Sequence, residues 1–148
     1  MPLLFTSSFD LKIDAKNRLF VPAEIRKAID REQQGTTFFM ILGPNRLPWL
    51  YTKAGYERWL NQIPLKMDPD EELQKYMLLK FAGCCEIAWD EQGRLTLPEK
   101  YLVKAKIEKD VTLAGVGDHL ELWNRAAYEK VMDDIWAVGP NIGAAFKM

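Results

Sequence analysis

Asp14-Ala15-Lys16-Asn17-Arg18-Leu19-Phe20-Val21-Pro22 recurs as Asp90-Glu91-Gln92-Gly93-Arg94-Leu95-Thr96-Leu97-Pro98. Each copy reads as Asp, three turn-forming residues, Arg, a short apolar strand, then Pro. A repeat fixes architecture before any local reading does. The offset is 76 residues, and it extends backwards: Phe9, Leu11 and Ile13 alternate onto one strand face, as do Cys85, Ile87 and Trp89. Downstream the offset falls to 72, where Tyr51-Thr52 aligns with Trp123-Asn124 and Tyr56-Glu57 with Tyr128-Glu129. A four-residue excess within the polar stretch Asp30 to Gly35 accounts for the change.

Each half therefore reads as strand, loop, strand, short helix, strand, turn, strand, helix. Pro22 and Pro98 suit the first position of a helix, where the missing N–H costs nothing, and Glu24 and Glu99 suit its positive end. Ile25, Ala28 and Ile29 carry one helical stripe; Tyr101, Leu102 and Ala105 carry the other. Strands are expected at Thr37–Leu42, Val111–Ala114, Leu47–Tyr51 and Leu120–Trp123. Pro48 argues that its strand lies at an edge or is bulged. Thr52 and Asn124 read as N-caps of helices at Lys53–Gln62 and Arg125–Ala137. A connecting helix is expected with Asp68 as its cap, Pro69 at its start and Gly83 past its end. Along it, Leu73, Tyr76, Met77 and Lys80 form a packing stripe. The tail from Gly139 reads as loose or docked on a neighbour.

The composition is that of an ordinary globular protein: 148 residues, 48% hydrophobic, 28% charged. A net charge of −1 excludes coating nucleic acid by bulk charge, so any DNA contact must be local. No apolar run approaches the roughly 20 residues that span a bilayer. Met1-Pro2-Leu3-Leu4-Phe5 lacks the pattern of a signal peptide, which points to a cytoplasmic protein with no membrane partner. Cys84 and Cys85 are adjacent, awkward for a disulfide and unsuited to zinc; they read as reduced thiols, with Cys85 toward the core. The single His119, beside Asp118 in a turn, reads as a solvated loop residue and not a general base. With no P-loop, dinucleotide fingerprint or ligand cluster, the expectation is no enzyme, no catalytic residue, no metal, no cofactor and no small-molecule substrate.

The repeated loop carries chemistry. An Asp that opens a turn accepts backbone N–H groups and locks it. Asn17 and Gly93 are the two residue types that best tolerate a left-handed backbone. A turn so fixed aims the next side chain, Arg18 or Arg94, whose planar fork suits phosphate oxygens or guanine edges. A purely structural Asp–Arg bridge is the competing reading of the same residues. The two copies differ in charge. From Asp10 to Arg18 there are three basic and two acidic residues, net +1; from Glu86 to Arg94 there are one and three, net −2.

With D-A-K-N-R-L-F-V-P, D-E-Q-G-R-L-T-L-P and the closing G-V-G-D-H-L-E-L-W-N, the chain resembles MraZ proteins of the AbrB/MazE-like superfamily, from about Phe5 to about Trp136. The resemblance implies a mainly β protein with helices (α+β), made of two tandem AbrB-like swapped-hairpin β-barrel modules in a pseudo-two-fold unit. Residues 5–53 and 83–126 would be the two repeats, 54–82 a helical connector, and 127–148 the C-terminal helix and tail. It implies a homo-oligomeric ring, associated with the nucleoid, that binds double-stranded DNA at promoter repeats. Its targets would be its own promoter and the division and cell-wall cluster. Carried onto this chain, Lys16, Asn17, Arg18, Gln92, Gly93 and Arg94 contact DNA, and Asp14 and Asp90 organise the loops. The family prefers Gly where this chain has Asn17, and Glu91 weakens the second loop against phosphate. The alternative is an antitoxin-like or scaffold protein-interaction module on the same fold, using its helices.

Overall fold

The structure is a computed structural model and describes residues 3–62 and 70–139. The Asp68 and Pro69 readings, and the tail beyond Gly139, lie outside the described residues. Among the described residues, eight strands and six α-helices follow the order anticipated from the repeat. They are β1 (Ser8–Lys12), β2 (Arg18–Phe20), α1 (Ala23–Ala28), α2 (Arg31–Gln34), β3 (Thr37–Leu42), β4 (Pro48–Thr52) and α3 (Lys53–Leu60). After the connector come α4 (Glu71–Met77), β5 (Cys85–Ala88), β6 (Arg94–Thr96), α5 (Glu99–Lys104), β7 (Asp110–Gly115), β8 (Leu120–Asn124) and α6 (Arg125–Val138). The four-residue excess of the first half is α2, a single turn capped by Asp30, whose side chain accepts from Glu32 N, and closed by Gly35 at φ 89°.

Pairing crosses between the halves. The strands form a six-stranded antiparallel sheet in the order β1-β7-β8-β4-β3-β5 and a separate ribbon of β2 with β6. Thus β1 lies on β7 with Phe9 opposite Leu113, and β5 lies on β3 with Ile87 opposite Phe38. The architecture is mixed α+β. The expected closed barrels do not form among the described residues, because β2 and β6 pair with each other and leave the large sheet open at β1 and β5.

One core joins the two sheets. Leu19 and Leu95 of the ribbon are wholly buried, with Leu50, Leu113, Leu120 and Leu122 of the large sheet. A three-residue ribbon is not stable by itself; burying each leucine contributes about 1.5–3 kcal/mol and anchors it. Ile25 and Ile29 are buried at α1, while Ala28 of that expected stripe is exposed; Tyr101 and Leu102, with Ala105 partly buried, carry the stripe of α5. Across the large sheet Ile41, Tyr51 and Tyr56 form a second cluster with Trp49 and Trp59. Cys84 packs on this cluster and Cys85 on the main core, so the adjacent thiols part to opposite sides and remain free.

Four local expectations need correction. Pro48 belongs to an interior strand, since β4 pairs with both β3 and β8; it is tolerated as the first residue, and pairing to β8 begins only at Trp49. Pro22 and Pro98 stand at the N-caps, one position before the first helical turn. Asp70 caps α4 by accepting from Leu73 N. Finally, α4 continues into a π turn over Leu78–Ala82. That wider turn carries Lys80 inward, where Nζ donates to Leu42 O at 2.8 Å, while Tyr76 of the expected packing stripe stays exposed. Thr52 and Asn124 do cap α3 and α6, accepting from Gly55 N and Ala127 N.

Candidate nucleic-acid interface

The two loops are built alike, atom for atom. In the first, Asp14 Oδ1 accepts from Lys16 N at 2.9 Å and Arg18 N at 2.8 Å, while Oδ2 accepts from Arg18 Nε at 2.7 Å. In the second, Asp90 Oδ1 accepts from Gln92 N and Arg94 N, each at 2.9 Å, and Oδ2 from Arg94 Nε at 2.9 Å. Backbone bonds from Asn17 N to Asp14 O and from Gly93 N to Asp90 O close each turn. Asn17 sits at φ 61° and Gly93 at φ 81°, the left-handed positions the sequence demands. The Arg18 and Arg94 backbone N–H groups are the foremost cause holding Asp14 and Asp90 below the ordinary carboxylate range, aided by the guanidinium bonds. Both stay ionised, and both turns stay locked, at neutral pH.

The clamp takes only one edge of each guanidinium. Nε is tied to the Asp, whereas the two terminal nitrogens of Arg18 have no protein acceptor among the described residues. Arg94 differs by a long 3.3 Å bond from Nη2 to Gln92 Oε1. What remains outward is the planar pair of donors that matches a guanine edge or a phosphate. Lys16 is exposed on the first loop and forms no ion pair among the described residues.

Register then brings the two loops together. In the ribbon Arg18 lies opposite Thr96, Leu19 opposite Leu95, and Phe20 opposite Arg94. Alternation puts Leu19 and Leu95 inward and Arg18, Phe20, Arg94 and Thr96 on the outer face. Diagonal neighbours on such a face stand about 7–8 Å apart, so both arginines share one small surface. The ends are cross-braced: Val21 N donates to Gly93 O and Leu97 N to Asn17 O, both at 2.8 Å. Each half thus holds the other half's loop. Glu91 and Gln92 lie on the second loop and Lys16 on the first, flanking this face.

Arg26 of α1 is a residue the sequence reading missed. Its Nε donates to Val21 O at 3.0 Å, and its guanidinium lies 5.1 Å from the centre of the Phe20 ring. A Cβ built on Gly93 would meet Arg26 Nε at 2.9 Å, so the cation rests against the second loop. The net −2 of that loop's own segment therefore omits a charge brought in from the other half. The signal was available in the repeat: the position 76 residues on from Arg26 is Leu102, a core residue.

His119 also departs from expectation. Instead of being solvated it is buried, 6% exposed, stacked on Trp49 at 3.9 Å between ring centroids. Nδ1 lies 2.7 Å from Asp118 Oδ1 and Nε2 2.9 Å from Glu121 Oε2. Burial acts to lower its pKa, but the hydrogen bonds to Glu121 and Asp118 outweigh it and raise the value. Both ring nitrogens are engaged by carboxylates, which favours the charged ring and gives it a structural role. Among the described residues there is no group of three or more His, Cys, Asp or Glu able to hold a metal, and no helix long and apolar enough to cross a membrane.

Comparison with known proteins identifies the family. A family model described as "MraZ protein, putative antitoxin-like" matches residues 80–138. The Transcriptional regulator MraZ of Mycoplasma mobile is 32% identical over 124 residues, covering 84% of this chain and 82% of that protein. That of Mycoplasmopsis pulmonis is 30% identical, over 86% and 84% of the two chains. That of Clostridium tetani is 27% identical, over 88% of each. With about a third of residues shared across nearly the whole length, the chain belongs to the MraZ family.

Proposed function

We propose that this protein is a sequence-specific, DNA-binding regulator of transcription that reads promoter repeats with the outer face of the β2–β6 ribbon. The observation that carries the reading is the pairing of two Asp-clamped arginines, Arg18 and Arg94, on one face of a two-stranded ribbon. A two-stranded ribbon fits the major groove, where an Arg fork distinguishes guanine. Asp14 and Asp90 organise the loops; Lys16, Asn17, Gln92 and Gly93 are the flanking contacts. The names of the relatives support the regulatory role.

In this reading the copies act as an AbrB-like pseudo-two-fold pair within a homo-oligomer, arranged as a ring. Exposed apolar side chains on two separate elements support self-association: Leu78, Leu79 and Phe81 on the connector, and Trp136 on α6. Unlike patches that join head to tail give a ring when the rotation between copies closes. Many copies on repeated boxes gain about 10²–10⁴ in avidity, which reconciles DNA binding with a net charge of −1. The boxes would lie in the protein's own promoter and the division and cell-wall cluster, at the nucleoid.

Fluorescence anisotropy with DNA from upstream of the protein's own coding sequence, against a scrambled duplex over a range of salt, tests this. A clear excess affinity for the upstream DNA is expected, lost in a forced monomer; equal affinity for both duplexes overturns it. The rival reading, a protein-interaction module, also draws on the exposed helix residues. It requires binding that responds to changes at Trp59 or Tyr76 and ignores the loops.

A further inference from the structure

The outer face of the ribbon carries more than its two arginines. Phe20 is a large aromatic ring, 47% exposed, between Arg18 on its own strand and Arg94 directly opposite. Leaving half of such a ring in water forfeits much of the gain from burying it. It is not free to fold away: Leu19 and Val21 on either side are wholly buried, and the Arg26 guanidinium stacks 5.1 Å from its centre. Arg26 is itself fixed by its bond to Val21 O. The ring is thus held outward by a strand whose flanking side chains are locked in the core.

We infer that Phe20 is a specificity-determining residue that packs against the C5-methyl group of a thymine beside the guanine read by Arg94, with Arg26 as its positioning residue. This rests on the DNA-binding reading above and names which base that face selects. Arg26 lies over the ring, and the Asp-clamped Arg18 and Arg94 turn their free terminal nitrogens outward on the same face, which favours an anionic occupant such as DNA. The one apolar group that duplex DNA offers in its major groove is the thymine methyl. The corresponding position of the second repeat is Thr96, whose smaller methyl lies on the same face opposite Arg18. The two halves would therefore favour guanine in common and differ in how strongly they demand thymine.

The probe is the upstream duplex with thymines replaced singly by deoxyuridine, which removes the methyl and nothing else. At one position per box the native protein should lose about fourfold in affinity, the worth of one buried methyl-sized group. Phe20→Ala should bind the unmodified duplex more weakly and show no further loss at that position. Phe20→Leu should retain part of the discrimination. Arg26→Ala should reduce the uracil penalty as well as the affinity, which a merely structural role would not do. Specific binding with the same uracil profile in native protein and Phe20→Ala overturns the inference and leaves DNA binding standing. No excess affinity for upstream DNA at all overturns the DNA-binding reading itself, and the inference with it.

Discussion

Replacing Arg18 by alanine separates what the loop does for the fold from what it does for DNA. The Arg18 side chain is 29% exposed and its ion pair to Asp14 is a surface pair. Such a pair contributes about 0–1 kcal/mol. The turn itself survives, because Asp14 Oδ1 still accepts the backbone N–H groups of residues 16 and 18. A protein of this size should then lose no more than a few degrees in Tm. The cost in recognition is larger, since a bidentate Arg–guanine contact is worth about 1–3 kcal/mol, or roughly 5- to 150-fold in Kd. Arg18→Lys refines the test. It keeps the charge, and with it the salt dependence, but cannot be clamped through one nitrogen and present two more. Thermal unfolding and anisotropy titrations on upstream DNA, run on the native protein and both variants, decide it. The expected pattern is near-native Tm for both, a strong loss for alanine and an intermediate one for lysine. Full affinity in Arg18→Lys would refute the fork argument, and full affinity in Arg18→Ala would remove Arg18 from the interface.

Further outcomes follow from the same geometry. Asn17 holds φ 61°, so Asn17→Val should destabilise the protein by about 1–2 kcal/mol in urea unfolding, whereas Asn17→Gly should not destabilise it. His119 has a raised pKa, so its charged form is favoured by folding. Its contribution is complete below pH 6.5 and lost as pH rises through the folded value. Stability should therefore decline above pH 6.5 in the native protein. His119→Ala should flatten that decline at a cost of about 1–3 kcal/mol, by removing one of the two donors of Glu121 and leaving it Trp123 Nε1. Arg94→Ala should weaken DNA binding less than Arg18→Ala, because Lys16 supports the first loop and Glu91 opposes the second.

What could be read from the sequence divides along a physical line. Local chemistry was legible. The Asp-to-Arg turns, the left-handed Asn17 and Gly93, and the caps at Thr52 and Asn124 depend on neighbours within a few residues, and all are where the sequence puts them. Partners distant in sequence were not. Alternation assigns Phe9, Leu11 and Ile13 to a face but says nothing of β7 as the strand they join. Pro48 looked like an edge residue because its neighbours β3 and β8 lie in different halves. His119 looked solvated because Trp49, which covers it, comes from the first half. Arg26 was missed for the same reason, since its contacts with the second loop cross the repeat. The repeat implied two loops, but only the β2–β6 register reveals that they share one surface.

That shared surface is the central claim, and a double variant tests it most directly. Arg18→Ala/Arg94→Ala removes both forks from the outer face while leaving Leu19 and Leu95 to hold the ribbon in place. With folding confirmed by thermal unfolding, its affinity for upstream DNA should fall to the level it shows for a scrambled duplex. A folded double variant that still preferred the upstream sequence as strongly as the native protein would contradict the account.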